Sequence, residues 1–512
     1  MKIYRALKWL RVVLALLVFA GVTYFFVFVS AYSASAYHVA LIHLLKFQLV
    51  PNVLGIATGG VVVVALIILV TLLVGRVYCS VICPFGIYQD VVNRVACWFK
   101  TKKQRRTSYA QAHNGWRYGI LAAVLLSTVL GFTLPLVYLD PYGLYGKICV
   151  KLGRPLVALV SGSEYHGFVW TAFAFAMVVF VTVTLLAAFK GRFYCNTICP
   201  VGSLLGLISK HAAFRLTVDM DKCRHCLLCG KSCKAYCLDS KNVHFDYSRC
   251  VMCLDCTQAC SEDAIHLAFA WKRKPKAAPS TSASAPTSAP VPTQNRRQFL
   301  LSAWGIGIGT VLGGGAGVVS LRNKEKVRLK APMPPGAVNV ERLMDKCIAC
   351  YACVTACPAN IIRPSLMQLG WEGIMLPSLN YDFGFCGYEC QRCQIVCPTD
   401  ALQTMSLEAK KRVKLGVAKF TVQNCIIVKE GTDCGACDEH CPVKAVSLQP
   451  KEGYPKPIPK VAAKLCIGCG GCQFICPAQP KAIEVVPMPE QRVADLPKID
   501  AKIEIQDVDF GF

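Results

Sequence analysis

Cysteine is the residue type in this sequence with the clearest chemical role, since 31 of the 512 residues are cysteines. Twenty-four of them form six groups of four, and in every group three residues separate the last two cysteines. Four thiolates at such spacing are the ligand set of a [4Fe–4S] cluster. The sequence therefore predicts six [4Fe–4S] clusters.

The first two groups carry the C-x2-C-x2-C-x3-C run of two-cluster bacterial ferredoxins, in which the fourth cysteine binds the other cluster. This exchange assigns one cluster to Cys223, Cys226, Cys229 and Cys260, and the other to Cys250, Cys253, Cys256 and Cys233. Proline usually follows the fourth cysteine, but Lys234 and Ser261 stand there in this sequence, and Cys237 lies nearby. Cys237 therefore remains an alternative to Cys233 as the ligand.

The last four groups end in proline after the fourth cysteine and are followed by alternating runs typical of strands. They are Cys347, Cys350, Cys353 and Cys357; Cys386, Cys390, Cys393 and Cys397; Cys425, Cys434, Cys437 and Cys441; and Cys466, Cys469, Cys472 and Cys476. Zinc sites use one C-x2-C pair with a distant second pair, so the spacing favours iron–sulfur clusters. A disulfide scaffold is excluded because that class consists of small secreted chains.

Four further cysteines belong to an internal repeat. The sequence GRVYCSVICPFG at Gly75–Gly86 matches GRFYCNTICPVG at Gly191–Gly202 with an offset of 116 residues. Residues four apart on a helix share a face, so the repeat brings two CxxxCP pairs together: Cys79, Cys83, Cys195 and Cys199. One interpretation is a four-cysteine redox or metal site that relays electrons. The other is that the cysteines pack a helix end and the prolines shape a turn.

The elements that position these cysteines are in part membrane helices, because 54% of the residues are hydrophobic and only 17% charged. Four apolar runs are long enough to span a bilayer: Leu10–Ser30, Leu54–Gly75, Tyr118–Val137 and Phe168–Phe189. Each half of the repeat contains two of these spans. The two motifs therefore emerge on the same side, related by a pseudo-two-fold axis along the membrane normal.

The net charge of +26 suggests nucleic acid at first, but its distribution argues against that class of partner. Residues 1–321 carry a balance of +22 and residues 322–512 only +4. Basic residues of short loops mark the cytoplasmic face of a membrane protein, here in the N-terminus and in Lys100–Arg106. No nucleic-acid binding is expected.

These observations predict a multidomain protein with an α-helical membrane domain and two α+β modules like bacterial ferredoxins. The membrane domain covers 1–215 with four spans, and the two-cluster module covers 216–271. A Pro/Ala/Ser-rich disordered linker covers 272–294, and a fifth span preceded by Arg296 and Arg297 covers 295–321. The four-cluster module covers 322–512.

Together the motifs resemble two known families. Residues 1–271 are similar to the NapH family, membrane quinol dehydrogenase components with twin CxxxCP motifs, and residues 295–512 are similar to the MauM/NapG family. The run N-R-R-Q-F-L resembles a twin-arginine export signal, although a plain span with basic flanks is the alternative. The resemblance also implies that the first and fourth C-terminal groups exchange their last cysteines, as do the second and third.

The resemblance implies a multi-pass protein of the bacterial inner membrane that oxidises quinol. The first module would be cytoplasmic and the C-terminal module periplasmic. Electrons would pass from the quinone pool to a periplasmic redox partner, a cytochrome or a reductase such as a nitrate reductase system. Two alternatives remain open: quinone reduction from a cytoplasmic donor, and a redox regulator or assembly factor with twin CxxxCP motifs.

Overall fold

The structure is a computed structural model that describes residues 2–28, 47–54, 60–100, 109–129, 134–162, 170–270, 329–365, 368–370 and 373–495. The predicted linker at 272–294 and fifth span at 295–321 lie outside these residues. The chain divides into two compact units. The first comprises Met1–Val327, Glu341–Pro358 and Val396–Ala401, and the second Arg328–Val340, Ala359–Ile395 and Leu402–Phe512. The predicted module at 322–512 is thus shared between both units.

The first unit begins as a helical domain, as its apolar runs predict. The helices are Lys2–Phe28, Leu49–Leu54, Gly60–Val74, Tyr78–Val81, Pro84–Phe99, Asn114–Val129, Leu134–Leu139, Pro141–Ile148, Arg154–Ser161, Trp170–Lys190, Phe193–Thr197 and Pro200–Ser209, with a π-helical turn at Cys149–Gly153. Asp140 begins one of them as an N-cap, because its carboxylate accepts a 2.6 Å hydrogen bond from the N–H of Gly143.

Two helices are long and apolar enough to cross a membrane, Ile3–Phe28 and Trp170–Lys190. Both coincide with predicted spans. The other two predicted spans correspond to shorter helices, Gly60–Val74 with 15 residues and Asn114–Val129 with 16. Each of these shorter helices adjoins residues outside the described ranges. The described residues therefore contain two helices of spanning length where the sequence predicted four, and the four-span prediction is not confirmed.

The internal repeat folds in the same way in both copies. A glycine with positive φ follows the helix that precedes each motif: Gly75 follows Gly60–Val74, and Gly191 follows Trp170–Lys190. Glycine commonly stands where a helix ends in a left-handed turn. A short helix then carries the first cysteine of the motif. The second cysteine, Cys83 or Cys199, is the N-cap of the next helix, which has proline in its first turn. The CxxxCP motif is therefore a helix–turn–helix corner.

The two-cluster module follows directly and has the predicted α+β composition. Strand Phe214–Val218 pairs antiparallel with Ile265–Phe269, and the smaller pair is Leu238–Asp239 with His244–Phe245. Helices Leu228–Lys231 and Asp255–Ala259 lie within the two cysteine groups. Helix Val340–Lys346 precedes the first C-terminal group, and helix Ala352–Ala356 lies within it.

The second unit is built from antiparallel pairs around a small core. Strand Val413–Phe420 pairs with Ile483–Val493, Ile362–Pro364 with Pro377–Leu379, and Val446–Gln449 with Ile458–Val461. Its short helices are Arg392–Ile395, Leu407–Arg412, Ile426–Lys429, Ala436–Glu439 and Gly471–Ile475, with a 3-10 turn at Val422–Asn424. Cysteines occupy much of the core, so metal binding adds stability that so small an apolar core lacks.

Candidate functional site

The same backbone turn recurs around the second cysteine of four groups. The residues on either side of that cysteine have positive φ, between 48° and 84°. They are His225 and Leu227, Met252 and Leu254, Ala349 and Tyr351, and Gly468 and Gly470. Non-glycine residues adopt this conformation at a cost of about 1–2 kcal/mol. Its repetition in unrelated sequence indicates one shared cradle, and four cysteines per cradle fit a [4Fe–4S] cluster.

A second backbone feature marks the fourth cysteine. The residue three positions after it has positive φ, between 49° and 55°, in five of the six groups: Tyr236, Asp263, Asn360, Asp400 and Lys444. Tyr236 stands three positions after Cys233, not after Cys237. The backbone therefore gives Cys233 the position of a fourth ligand.

The inner set of the two-cluster module is gathered around one cavity. Cys233, Cys250, Cys253 and Cys256, predicted as one ligand set, line it together with Cys237. The Sγ atoms of Cys233 and Cys237 are 3.5 Å apart. Hydrogen bonding from Cys237 lowers the pKa of Cys233 to about 6, although burial alone would raise that pKa. Cys233 therefore loses its proton more easily than Cys237 does.

The other set of this module lies nearer the surface. Cys226 is exposed, and Cys223, Cys229 and Cys260 are half-buried. The charges of Cys223 and Cys226 act on Cys229, so these three lie together as predicted. Cys260 ends the helix Asp255–Ala259. The two sets therefore differ in their access to solvent.

In the C-terminal groups, neighbours along the chain share ligands. Cys397 lies within electrostatic range of Cys347 and Cys350, so the last cysteine of the second group stands beside the first group. Burial raises the pKa of Cys347 to about 12. A bound iron would be needed to keep this buried thiol in its deprotonated form.

The second unit shows the same exchange between the third and fourth groups. Cys425, Cys434, Cys437 and Cys476 line one cavity, and the charge of Cys441 acts on Cys469 and Cys472. The pairing that the resemblance implied, first with fourth and second with third, is therefore wrong. Cys386, Cys390 and Cys393 also lie in the second unit, where the N–H of Cys386 donates to the carbonyl oxygen of Cys469 at 2.9 Å.

The four cysteines of the twin CxxxCP motifs are all buried, with exposed fractions of 3–4%. The charges of Cys79 and Cys195 act on Cys83 and on Cys199, so the repeat brings both pairs together as predicted. Among the described residues, no group of three His, Cys, Asp or Glu is close enough to hold a single metal ion. A [4Fe–4S] cluster does not require its cysteines to surround one ion, because each of its cysteines can bind a different iron.

Two arginines that the cysteine spacing does not indicate connect the two motifs by hydrogen bonds. Arg76 donates from Nη2 to the carbonyl oxygen of Cys195 at 3.2 Å, and Arg192 from Nη1 to that of Cys79 at 2.7 Å. Each arginine precedes the motif of its own copy and bonds to the other copy. A Cβ at Gly86 would overlap the carbonyl oxygen of Cys79, and one at Gly202 that of Cys195. The glycines therefore allow the close approach.

The two arginines have different charge partners. Arg192 pairs with Asp90 at 2.7 Å, and the Lys234 ammonium contacts the same carboxylate. Arg76 is fully buried and forms no ion pair with a carboxylate among the described residues; its Nη2 lies 3.8 Å from the Sγ of Cys79. A buried cation needs compensation, which thiolates or a thiolate-bound cluster provide.

The two-cluster module is fixed to the twin motifs by buried polar contacts. Arg76 donates from Nη1 to the carbonyl oxygen of Ser248 at 3.0 Å, two residues before Cys250. Asn196, inside the second CxxxCP motif, donates to the carbonyl oxygen of Ala235 at 3.1 Å, two residues after Cys233. The inner ligand set is thus held against the motifs.

On its other side, the helical domain holds the first C-terminal group. The loop at Cys350 approaches helix Pro141–Ile148 so closely that a Cβ at Gly146 would overlap the Cys350 carbonyl oxygen. Arg154 donates to the carbonyl oxygen of Thr355 at 3.3 Å, and the ammonium of Lys151 lies 5.6 Å from the centre of the Tyr351 ring.

The first helix, Lys2–Phe28, touches these parts in order along its length of about 40 Å. Near its start, Lys8 pairs with Asp255 of the two-cluster module at 2.7 Å. Arg11 then contacts the carbonyl oxygen of Ser80, next to Cys79. Near its end, Phe26 would meet a Cβ at Gly146, the glycine that faces Cys350. The twin motifs therefore lie between the two cluster-binding regions.

Comparison with protein-family models finds iron–sulfur families in the helical domain and in the C-terminal cysteine groups. The family described as "4Fe-4S binding domain" matches residues 56–106 and 172–218, each of which contains one CxxxCP motif. The family described as "4Fe-4S dicluster domain" matches residues 346–401 and 432–479. The first of these matches contains the first two C-terminal groups, in keeping with the position of Cys397 beside the first group.

Several curated proteins are similar to the chain. The methylamine utilization ferredoxin-type protein MauM of Paracoccus denitrificans is 30% identical over 182 residues, 34% of this chain and 80% of MauM. The ferredoxin-type protein NapG of Escherichia coli is 28% identical over 32% of the chain and 71% of NapG. An uncharacterized protein of Methanocaldococcus jannaschii is 25% identical over 41% of the chain and 78% of its own length. No solved structure is significantly similar. The chain belongs to the family of the ferredoxin-type proteins MauM and NapG.

Proposed function

We propose that this iron–sulfur electron-transfer protein is membrane-bound, oxidises quinol, and delivers the electrons to an acceptor on the periplasmic side. Six [4Fe–4S] clusters would each take up and give up one electron. The residues that would hold them are the 24 grouped cysteines, with Cys233 rather than Cys237 as the fourth ligand of the inner set. The acceptor would be a cytochrome or a reductase, such as a nitrate reductase system.

The observation that carries this proposal is the order of contacts along helix Lys2–Phe28. One end contacts the two-cluster module, and the other lies beside the glycine that faces Cys350. At about 1.5 Å per residue, the helix is long enough to cross the roughly 30 Å hydrocarbon core of a bilayer. The cluster-binding cysteines at its two ends would then lie on opposite sides of the membrane.

Exposed apolar side chains support a membrane around the helical domain. Leu17 is 63% exposed, Val178 64% and Leu159 81%. Contiguous apolar surface of this kind is unfavourable in water and suited to lipid. With the shorter helices Gly60–Val74 and Asn114–Val129 as the remaining spans, the basic loop Lys100–Arg106 faces the cytoplasm. The two-cluster module is then cytoplasmic and the Cys350 end periplasmic.

The twin CxxxCP motifs would relay electrons between the two ends. Their four buried cysteines lie between the inner ligand set and Cys350, and Arg76 supplies a buried positive charge beside Cys79. A cation at this place stabilises the more negative, reduced form of any thiolate-bound redox centre. The match of the "4Fe-4S binding domain" family to both motifs supports the same role.

Electron flow in the opposite direction is the second candidate. Cys226 is exposed on the two-cluster module, so a cytoplasmic donor protein has direct access to that ligand set. Quinone would then be reduced rather than quinol oxidised. The two directions share the same chain of cysteines and differ in the partner that reduces the protein.

The proposal is tested with the variants Cys83→Ser and Cys199→Ser, and with Cys97→Ser as the control, since Cys97 belongs to no cysteine group. The purified proteins are mixed with a quinol, and bleaching of the cluster absorbance is followed in time. We expect the relay variants to keep the iron of the six clusters and to lose reduction of the C-terminal clusters. Unchanged reduction in both variants would reject the relay, and a wild-type protein that no quinol reduces would reject quinol oxidation.

A further inference from the structure

A cavity of about 210 Å³ opens beside the two-cluster module, at the end of helix Trp170–Lys190. Its lining combines the loop around His113, Lys190 at the helix end, and Arg249 of the module. It contains no Asp or Glu among the described residues. The cavity therefore favours a ligand that accepts hydrogen bonds through oxygen.

Arg249 gives an independent indication of such a ligand. Its Nε donates to the carboxylate of Asp246 at 2.6 Å, and its Nη1 to the carbonyl oxygen of Ala110 at 2.8 Å. The remaining nitrogen, Nη2, is buried without a hydrogen-bond partner among the described residues. A buried donor left unpaired costs about 1–3 kcal/mol, which an oxygen of a bound ligand would recover.

The cavity also adjoins two of the cysteine sites. Asn196 and Thr197 line it, and they lie between Cys195 and Cys199 of the second CxxxCP motif. Ala235 and Tyr236 line it too, and they lie between Cys233 and Cys237. A ligand bound here would touch both a relay motif and the loop of the inner cluster set. This position beside two cysteine sites favours an electron donor over an anion without redox activity.

The size and surroundings of the cavity narrow the class of ligand. Sites for drug-sized molecules have volumes of about 300–1,000 Å³, so this cavity admits a single substituted ring and not a long tail. Phe189, next to the lining residue Lys190, is 69% exposed, and Trp116, near His113, is 49% exposed. These aromatic side chains would suit the membrane interface, where an apolar tail could leave towards lipid.

We infer that this cavity binds the head group of a quinol, an inference that rests on the proposed function and places its substrate. Oxidation breaks the two O–H bonds of the quinol and releases two protons and two electrons. One proton passes to the exposed imidazole of His113 and the other to water at the mouth of the cavity. The two electrons would pass one at a time to iron–sulfur clusters that the adjoining cysteines would hold. Arg249 donates to an oxygen of the ring.

The test is photolabelling of the whole iron-loaded protein with an azido-benzoquinone that carries an isoprenoid tail. Thr197→Phe fills the cavity, Ala112→Phe fills it from the opposite loop, and Thr182→Phe on the exposed face of helix Trp170–Lys190 is the matched control. We expect label in peptides containing residues 109–113 or 190–197. Labelling should fall tenfold or more in both cavity variants, the change produced by a loss of about 1.4 kcal/mol of binding free energy. The control and the iron content should stay unchanged.

Other outcomes separate this inference from the proposed function. If a quinol reduces the wild-type protein but the label maps elsewhere, or both filled variants label normally, the cavity is not the quinol site. If inorganic phosphate displaces the label, the cavity is an anion site and the inference is overturned. If no quinol reduces the protein and no peptide is labelled, the proposed function itself fails.

Discussion

Arg192 donates a 2.7 Å hydrogen bond from its Nη1 to the carbonyl oxygen of Cys79, in the other copy of the internal repeat. Arg76 makes the reciprocal bond to Cys195. Each copy therefore supplies the arginine that fixes the cysteine loop of the other. Such swapped contacts make the two motifs one structural element, so damage to either copy should disturb all four cysteines.

The glycines at this corner provide a direct test. Gly86→Ala and Gly202→Ala would each place a Cβ against a cysteine carbonyl oxygen, and overpacking of this kind costs about 1–3 kcal/mol. We expect lower melting temperatures in both variants and slower reduction of the C-terminal clusters by quinol. Val178→Ala is the control, because the Val178 side chain is 64% exposed. A loss in the control as large as in the other two would contradict the interpretation.

Arg76 and Arg192 should differ in their effect on redox chemistry. Arg76 is buried without a carboxylate partner among the described residues, whereas Arg192 is neutralised by Asp90. Replacing Arg76 with Gln removes an uncompensated positive charge, which should lower the reduction potential of a centre at the four cysteines. Redox titration followed by electron paramagnetic resonance measures this shift. No shift in Arg76→Gln would show that no redox centre lies within its reach.

Cys233 and Cys237 can be separated by iron content. Cys233→Ser should lose one cluster, a fall of about four iron atoms per protein, since a [4Fe–4S] cluster holds four. Cys237→Ser should keep all clusters and alter only the spectrum of the inner one, because Cys237 is 3.5 Å from Cys233 without holding its backbone position. Iron content, measured together with the electron paramagnetic resonance spectrum, shows which of the two cysteines is the ligand. Iron loss in Cys237→Ser instead would make Cys237 the ligand.

Asp90 predicts a dependence of stability on pH. Burial alone would raise its pKa, but the charges of Arg192 and Lys234 outweigh burial and hold the pKa well below its usual range. Since the folded-state pKa is depressed, the stabilisation is complete above the unfolded value of about 3.9 and is lost as the pH falls towards the folded value.

The measurement for Asp90 compares melting of the wild-type protein with that of Asp90→Asn. Removing one partner of a buried pair costs about 3–5 kcal/mol, so the variant should melt lower at neutral pH. The difference should be constant from pH 7.5 to 5 and shrink below about pH 4. Asp433→Asn serves as the comparison, because Asp433 is 91% exposed in its ion pair with Lys456. A difference that grows on acidification would contradict this account.

Cysteine spacing predicted which cysteines lie together within a group, because the turn that carries them is local in sequence. Which group supplies the fourth cysteine depends on tertiary structure, and for that reason the pairing of Cys347 with a distant group was wrong. The role of Arg76 and Arg192 was missed although both copies of the repeat contain a Gly-Arg pair four residues before the cysteine. Two of the predicted spans correspond to helices of spanning length, whereas the spans at Gly60–Val74 and Asn114–Val129 stay predictions.

The membrane orientation gives the last prediction, a difference in protease access between two exposed lysines. Lys241 is exposed in a turn of the two-cluster module, and Lys451 is exposed just before a turn of the C-terminal module. If the first module is cytoplasmic and the C-terminal module periplasmic, trypsin added to intact spheroplasts should cleave at Lys451 and spare Lys241, and inverted vesicles should show the reverse. Lys241→Gln and Lys451→Gln identify the fragments. Cleavage of both lysines from the same side would place all the clusters in one compartment, and the electrons would then have no membrane to cross.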